Sequence, residues 1–226
     1  IRQFILDYAK THGIDAHADR IGNVILRKPA TPGHENAPTL ILQGHMDMVC
    51  EKLVDVDFDF HKDAIQTYVD GEWMGAKGTT LGADDGIGVA IELAILASDD
   101  IEHGPIECVF TRDEETGLTG AMGMKAGFMT GDMLINLDSE DEGQIFVSCA
   151  GGKNTTATFS FEKEDAPEGL FFMQISLKGL KGGHSGDDIN KKRANAIKIL
   201  SRFMYNAQER YGVRLASFNG GKLHNA

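Results

Sequence analysis

Cysteine and positive charge are both scarce in this chain, and each shortage excludes a class of protein. Its 226 residues include only three cysteines, which are far apart along the chain: Cys50, Cys108 and Cys149. They form neither the disulfide framework of a small secreted protein nor a Cys-x-x-Cys metal motif, so we expect a reducing, cytoplasmic location. With 22 Lys and Arg against 34 Asp and Glu, the net charge is -12, which argues against a nucleic-acid partner.

Long hydrophobic runs are also missing. No apolar stretch approaches the ~20 residues of a membrane-spanning helix, and no signal peptide is visible. Hydrophobic residues (42%) and charged residues (25%) occur in the proportions of a soluble globular protein, so we expect no membrane partner. The chain starts at Ile1 inside a segment of helical periodicity, and we expect that its true N-terminus is missing.

Apolar periodicity predicts strands that alternate with helices through residues 1–152. The predicted strands are NVILRK, TLILQG, IECVFT and MLINLD, and the predicted helices are IRQFILDYAKTHG, DDGIGVAIELAILAS and LTGAMGMKAG. This alternation favours an α/β fold in which helices cover both faces of a largely parallel sheet.

The pattern changes after Gly151-Gly152. NTTATFSFE and FFMQISLKG predict strands of a half-solvated sheet, and NKKRANAIKILSRFMYNAQERY predicts a long helix. These elements are too few to bury a sheet by themselves. We therefore assign residues 153–226 to the beginning of a second, α+β domain.

The first candidate site residues follow the strand TLILQG. His45 and Asp47 are two residues apart, so their side chains point to the same face of an extended strand. His45 is a candidate metal ligand, and Asp47 is a candidate partner for its second ring nitrogen. The alternative is that both are ordinary polar residues, because His-x-Asp alone is a weak pattern.

The second candidate segment is GADDGIG, a glycine-rich turn that leads into a helix. Helix capping and the helix macrodipole are sufficient to explain an aspartate at this position. Capping explains one aspartate better than the two present, Asp84 and Asp85. A metal ligand is therefore the alternative for the other.

Two further predicted strands are followed by acids. Asp113, Glu114 and Glu115 follow IECVF, and Asp138 ends MLINLD. Adjacent carboxylates raise each other's pKa unless a cation neutralises them, although a run of charges is often only a solvated face. Directly after a buried strand, a metal ligand beside a general base is the more economical interpretation.

Parallel strands bring their carboxyl ends to one edge of a sheet, so we expect four strand ends to meet there. Histidine and carboxylate ligands suit paired divalent ions, typically two Zn²⁺, with Co²⁺ or Mn²⁺ as substitutes. Such ions would offset the mutual repulsion of the acids. The expected ligands are His45, Asp84, Glu115 and Asp138, with Asp47 and Glu114 beside them.

These segments resemble the co-catalytic zinc peptidases of clan MH. LQGHMDMV, AKGTTLGADDGIGVA, DEETGLTGA and LDSEDEGQIFVSCAGG are most similar to the aminoacylhistidine dipeptidases, also called Xaa-His dipeptidases or bacterial carnosinases. The resemblance covers nearly the whole chain. It implies a zinc-peptidase fold, with a mixed, largely parallel sheet in a catalytic domain (residues 1–152) and the start of a lid domain (residues 153–226).

The resemblance also implies a role for each matched residue. In this family the aspartate that bridges the two zinc ions is often followed by a cis peptide bond. The implied roles are zinc ligands for His45, Glu115 and Asp138, a bridging carboxylate for Asp84, an orienting carboxylate for Asp47 and a general base for Glu114.

Two residues of the lid segment are matched only through the resemblance. His184, in KGGHSGDD, matches a lid histidine that stabilises the oxyanion, and Asn225 matches a lid asparagine that contacts substrate. Without the resemblance, a lone histidine in a glycine-rich turn is usually a surface residue. The family also has a zinc-ligand histidine near the end of the full chain, which no residue here matches, so we expect the N-terminal half of an enzyme.

The implied function is hydrolysis of dipeptides with a C-terminal histidine, carnosine-like ones included, by a water that bridges two zinc ions. The alternatives are a tripeptidase, an acyl-amino-acid hydrolase of the same clan, or a catalytically incomplete fragment. A small dipeptide is the expected partner. A homodimer is an open alternative, because the lid pairs subunits in some relatives.

Overall fold

The computed structural model describes residues 1–139, 141–149, 151–153, 155–183, 188 and 190–221. Contacts between Cα atoms divide the chain into two compact units, Ile1–Ala150 and Gly151–Ala226. His184 and Asn225, two of the predicted site residues, lie outside the described residues. Among the described residues, no helix is both long and apolar enough to cross a membrane.

The described part of the first unit has three helices, and each lies where apolar spacing predicts one. They are α1 (Arg2–His12), α2 (Ala83–Ala97) and α3 (Thr119–Gly123). α1 is followed by its C-cap residue Gly13, whose φ of 65° lies in the left-handed region that glycine adopts without strain. At the start of α2, Asp84 and Asp85 have non-helical backbone angles, so the regular helix begins only after them.

The same part of the chain has seven strands, five of which form one mixed sheet in the order β1-β2-β6-β3-β7. β6 pairs in parallel with β3, and β3 with β7, whereas β2 is antiparallel to both of its neighbours. Four of the five strands therefore run in one direction. The predicted α/β fold with a largely parallel sheet is confirmed. The strands are β1 (Asp15–Ala18), β2 (Val24–Lys28), β3 (Leu40–His45), β4 (Thr67–Asp70), β5 (Trp73–Ala76), β6 (Ile106–Thr111) and β7 (Met133–Asn136).

Both faces of the sheet bury apolar side chains, because its central strands are almost continuous apolar runs. One face packs against α1 and α2, and the other packs against the segment that follows α3. β3 and β6 therefore lie in the middle of the core, and this packing fixes the position of their carboxyl ends. The first face includes Val24, Leu26, Leu42, Cys108 and Phe110 with Ile5, Leu93 and Leu96, and the second includes Ile25, Ile41 and Val109 with Met124, Phe128 and Met129.

Sequence periodicity missed three strands. β1 has no fully buried residue, and every residue of β4 is exposed, so neither segment carries a strong apolar pattern. β4 and β5 form a separate antiparallel pair. Gly71, which has a φ of 61° and is the first of the two residues between the paired Asp70 and Trp73, is the sequence signal for this hairpin.

The described part of the second unit contains one helix, α4 (Ala196–Tyr211). It begins after Asn195, whose side chain accepts a hydrogen bond from the Lys198 backbone N–H at 2.9 Å, as an N-cap residue does. The two strands predicted at residues 154–162 and 171–179 are wrong, because the described residues there form none. Phe159 and Phe171 are 82% and 80% exposed, so no neighbouring layer covers these segments, and an isolated strand pair is marginal in water.

Candidate metal centre

Three neighbouring strands of the sheet lead into the candidate site. His45 is the last residue of β3, Glu114 and Glu115 follow β6, and Asp138 follows β7. The Met46 backbone N–H donates to the Thr111 carbonyl at 2.9 Å, which continues the β3–β6 ladder to this edge. The structure therefore brings these segments together at the carboxyl ends of parallel strands.

Asp84 reaches the same place from the turn that begins α2, which corrects the expectation of four strand ends. The strand that precedes it, β5, belongs to the separate two-stranded sheet, and the turn around Gly82 leads directly into α2. Asp84 Oδ1 lies 2.9 Å from His45 Nε2. The peptide bond between Asp84 and Asp85 is cis.

Two overlapping sets of side chains have the spacing of metal ligands, and both include His45. The ligand atoms of His45, Asp84 and Asp138 lie within 4.8 Å of one another, and so do those of His45, Glu114 and Glu115. The His45 side chain is only 1% exposed, whereas those of Asp84 and Asp138 are 47% and 29% exposed. A buried histidine therefore lies beneath carboxylates that solvent can reach.

Negative charge is in excess around His45, where the pKa values of His45 and of two neighbouring carboxyl groups are raised. Burial, reinforced by the charge of Asp84, raises the pKa of Asp138 to about 6. Burial and the charges of Asp84 and Glu114 also raise the pKa of Glu115. Burial opposes protonation of His45, but its hydrogen bond with Asp84 and the surrounding carboxylates raise its pKa. A divalent cation would neutralise the charge that causes each of these shifts.

The surroundings of the His45 ring fit a metal ligand. Nδ1 lies 3.0 Å from the backbone carbonyl oxygen of Asp47, while Nε2 lies 2.9 Å from Asp84 Oδ1 and 3.8 Å from Asp138 Oδ2. A neutral imidazole has one N–H, so it cannot donate on both sides. If Nδ1 donates to the carbonyl, the Nε2 lone pair faces two carboxylates, an arrangement in which all three groups can share a cation.

Asp47 contacts His45 differently from the interpretation made from the sequence. Its backbone carbonyl accepts the ring hydrogen bond, whereas its carboxylate is 3.6 Å from Nδ1, which is too long for a hydrogen bond. The carboxylate accepts instead from the backbone N–H groups of Glu114, at 3.0 Å, and Glu115, at 3.1 Å. Asp47 therefore holds the turn that carries these two glutamates beside His45.

Asp113, the third acid of this turn, forms local contacts. Its Oδ2 accepts a hydrogen bond from Thr119 Oγ1 at 2.7 Å and lies 3.2 Å from Arg112 Nε. The Thr119 hydrogen bond, with the Arg112 charge, lowers the pKa of Asp113. Asp113 therefore stabilises the turn, and the other two acids supply the candidate site.

Asp85 makes two backbone contacts, and one of them is the capping contact that the sequence predicts for one aspartate of the pair. Its Oδ1 accepts from the Gly88 backbone N–H, three residues later, as the side chain of an N-cap residue does. Its Oδ2 accepts from the backbone N–H of His45. Capping thus accounts for Asp85 and leaves Asp84 for the candidate site. In the sequence, the presence of two adjacent aspartates was the signal that one of them has a role besides capping.

Known proteins resemble this chain in sequence and in structure. The chain is 47% identical over 226 residues to the cytosol non-specific dipeptidase of Escherichia coli (strain K12), of which it covers 47%. The solved structure of aminoacylhistidine dipeptidase from Vibrio alginolyticus is also 47% identical, with a TM-score of 0.65 over 99% of this chain and 46% of that one. The resemblance to the aminoacylhistidine dipeptidases is confirmed.

A more distantly related solved structure supports the fold only. A tripeptidase from Staphylococcus aureus is 24% identical, with a TM-score of 0.50 over 62% of this chain and 37% of that one. No family model matches the chain. The chain spans about half the length of the two dipeptidases that it resembles.

Proposed function

We propose that this chain supplies most of the metal centre of a cytoplasmic dipeptidase that hydrolyses dipeptides with a C-terminal histidine. The observation that carries the proposal is the pair of overlapping ligand sets around His45. The similarity to a cytosol non-specific dipeptidase supports the location and a dipeptide substrate. The similarity to an aminoacylhistidine dipeptidase supports the preference for histidine.

The proposed cofactors are two Zn²⁺ ions. Asp84 would bridge them, His45 and Asp138 would bind one, and Glu115 would bind the other. A set of one imidazole and several carboxylates suits zinc and also accepts Co²⁺ or Mn²⁺. When bound, such ions polarise the scissile carbonyl and make an attacking water more acidic.

Glu114 is the proposed general base. Its carboxylate would take a proton from the attacking water and later pass it to the leaving amine. Asp47 fixes the backbone of Glu114 through a hydrogen bond of 3.0 Å, which limits the positions that the carboxylate can reach. His184 as the oxyanion donor and Asn225 as a substrate contact are proposed from the family resemblance.

The substrate proposal predicts a specific order of activities. The intact protein that carries this chain should have a higher kcat/KM for β-alanyl-histidine than for tripeptides or N-acyl amino acids. Steady-state kinetics on the three substrate classes check this order. A higher kcat/KM for tripeptides would favour the tripeptidase alternative, and one for N-acyl amino acids would favour the acyl-amino-acid hydrolase.

The metal proposal predicts that His45→Ala weakens zinc binding by at least about tenfold, since both ligand sets lose their shared histidine. Zinc content after dialysis, measured by mass spectrometry, checks this. His61→Ala is the matched control, because His61 is exposed and lies outside both ligand sets. Equal zinc content in the two variants would contradict the assignment, and a wild-type protein without zinc would favour an inert fragment.

A further inference from the structure

We propose that Asp85 is a positioning residue that sets the separation between His45 and Asp84. This inference rests on the proposed metal centre, in which His45 and Asp84 are ligands. Asp85 is absent from both ligand sets. Each of its carboxylate oxygens accepts a backbone hydrogen bond, and the two donors lie on different elements.

The two hydrogen bonds of Asp85 join the end of β3 to the start of α2. Oδ2 accepts from the His45 N–H on β3 at 3.1 Å, and Oδ1 accepts from the Gly88 N–H on α2 at 3.1 Å. Asp85 is 4% exposed, so water has little access to compete for these bonds. Hydrogen bonds to a charged acceptor are about twice as strong as neutral ones, which suits the carboxylate for this connection.

The backbone around Asp85 leaves a space that matches its carboxylate. A Cβ atom on Gly44 would lie 2.4 Å from Oδ2, and a Cβ atom on Gly88 would lie 2.3 Å from Oδ1. Any larger residue at either position would therefore push the carboxylate away from its donors. The glycines at 44 and 88 and the aspartate at 85 form one fitted unit.

The candidate ligands lie directly beside the two ends of this connection. His45 itself carries one of the donors, and Asp84 immediately precedes Asp85. Apolar residues of both elements, Leu42 of β3 and Leu93 of α2 among them, belong to the same core cluster, but apolar packing is not directional. The Asp85 carboxylate is therefore the group that holds Nε2 of His45 and Oδ1 of Asp84 at 2.9 Å.

A capping role alone would have a different consequence from a positioning role. Serine is about as good an N-cap as aspartate, but its shorter side chain has one oxygen where aspartate has two, so it cannot reach both the Gly88 and the His45 donors. Asp85→Ser should therefore keep the cap on Gly88 and lose the bond to His45. Asp85→Asn keeps the length of the side chain, but its one carbonyl oxygen can accept from only one donor while its NH2 group faces the other, so this variant also breaks the connection.

The test measures zinc affinity, the absorption spectrum of the Co²⁺-substituted protein and thermal unfolding in the intact protein that carries this chain. Asp85→Ser is expected to bind zinc about 10- to 100-fold more weakly, which is the usual effect of mutating a residue that orients a metal ligand. Its Co²⁺ bands are expected to shift, and kcat to fall with little change in KM. Asp85→Asn is expected to weaken zinc binding in the same direction, because one of the two backbone donors loses its acceptor.

Asn195→Ala is the matched control, because it removes an N-cap bond of the same kind from α4, which carries none of the candidate ligands. It should leave zinc affinity and the Co²⁺ spectrum unchanged. Wild-type zinc affinity and an unshifted Co²⁺ spectrum in Asp85→Ser would overturn the positioning role while leaving the proposed function intact. A wild-type protein that takes up no metal would overturn both.

Discussion

Replacing Glu114 by glutamine is expected to lower kcat about 100- to 10,000-fold while the protein keeps its zinc. Glutamine has the size of glutamate, but its amide cannot take a proton from water. The backbone N–H that Asp47 holds is unchanged by the substitution, so the turn should keep its place. Kinetics with β-alanyl-histidine and metal analysis of the same sample check both parts of the expectation.

Two neighbouring acids provide the controls for this result. Asp113→Asn should change kcat only a few-fold, since Asp113 contacts Thr119 and Arg112. Glu115→Gln should instead lose zinc, because Glu115 is the proposed ligand. Turnover near the wild-type value in Glu114→Gln would refute the general-base assignment. Loss of zinc in that variant would indicate that Glu114 is the zinc ligand and Glu115 the general base.

Replacing Glu92 by leucine is expected to stabilise the protein by on the order of 3 kcal/mol at pH 7. Glu92 lies on α2, is fully buried, and has no hydrogen-bond partner for either carboxylate oxygen among the described residues. Burial, reinforced by the charge of Asp85, raises the pKa of Glu92 to about 10. Folding at neutral pH must therefore protonate a side chain that is ionised in the unfolded chain.

This stabilisation should depend on pH in a defined direction. Because the folded-state pKa is raised, the contribution of Glu92 is most favourable below the ordinary pKa of 4.5 and is lost as the pH rises towards 10. The advantage of Glu92→Leu over the wild type should therefore grow between pH 5 and pH 9, by at most ~1.4 kcal/mol per pH unit. Denaturant unfolding of both proteins at several pH values measures it, and a difference that does not change with pH would contradict the prediction.

Glu107 is the matched control, because it is also buried but has hydrogen-bond partners. It accepts from Arg27 Nε at 3.0 Å, from the N–H and the hydroxyl of Thr130 at 2.7 Å and 2.8 Å, and from the Gly131 N–H at 3.1 Å. Burial opposes its ionisation, but these bonds lower the pKa of Glu107. Glu107→Leu should therefore destabilise the protein, by about 1–3 kcal/mol for each donor left buried and unpaired.

Much of the first unit could be predicted from the sequence, because apolar periodicity records which face of an element is buried. The strands β2, β3 and β6 contain most of the sheet core, and their segments carry the strongest pattern. The exposed hairpin of β4 and β5 has no such pattern and was missed. The strands predicted around Phe159 and Phe171 were wrong, since an apolar segment forms a strand only where another strand pairs with it.

For the candidate site, too, some features could be predicted from the sequence and others could not. His45, Asp84 and Asp138 could be selected from the sequence, because each is a metal-ligand residue type at the end of an apolar strand or the start of a helix. The contacts of Asp85 and the orphaned carboxyl of Glu92 could not, because both depend on how closely α2 approaches β3. Nothing in the local pattern of α2 distinguishes a buried glutamate from an exposed one.

By itself, the sequence determined the residue types of the candidate metal centre, the elements that carry them and the family that the chain resembles. These depend on side-chain chemistry and on spacing along one element, which can be read locally. Only the tertiary structure decided that Asp47 holds His45 through a carbonyl, that Asp113 turns away, and that Asp85 caps α2 while Asp84 faces the histidine. Those outcomes depend on distances of a few ångströms between β3, α2 and the turn after β6, which are far apart in sequence and meet only when the core packs.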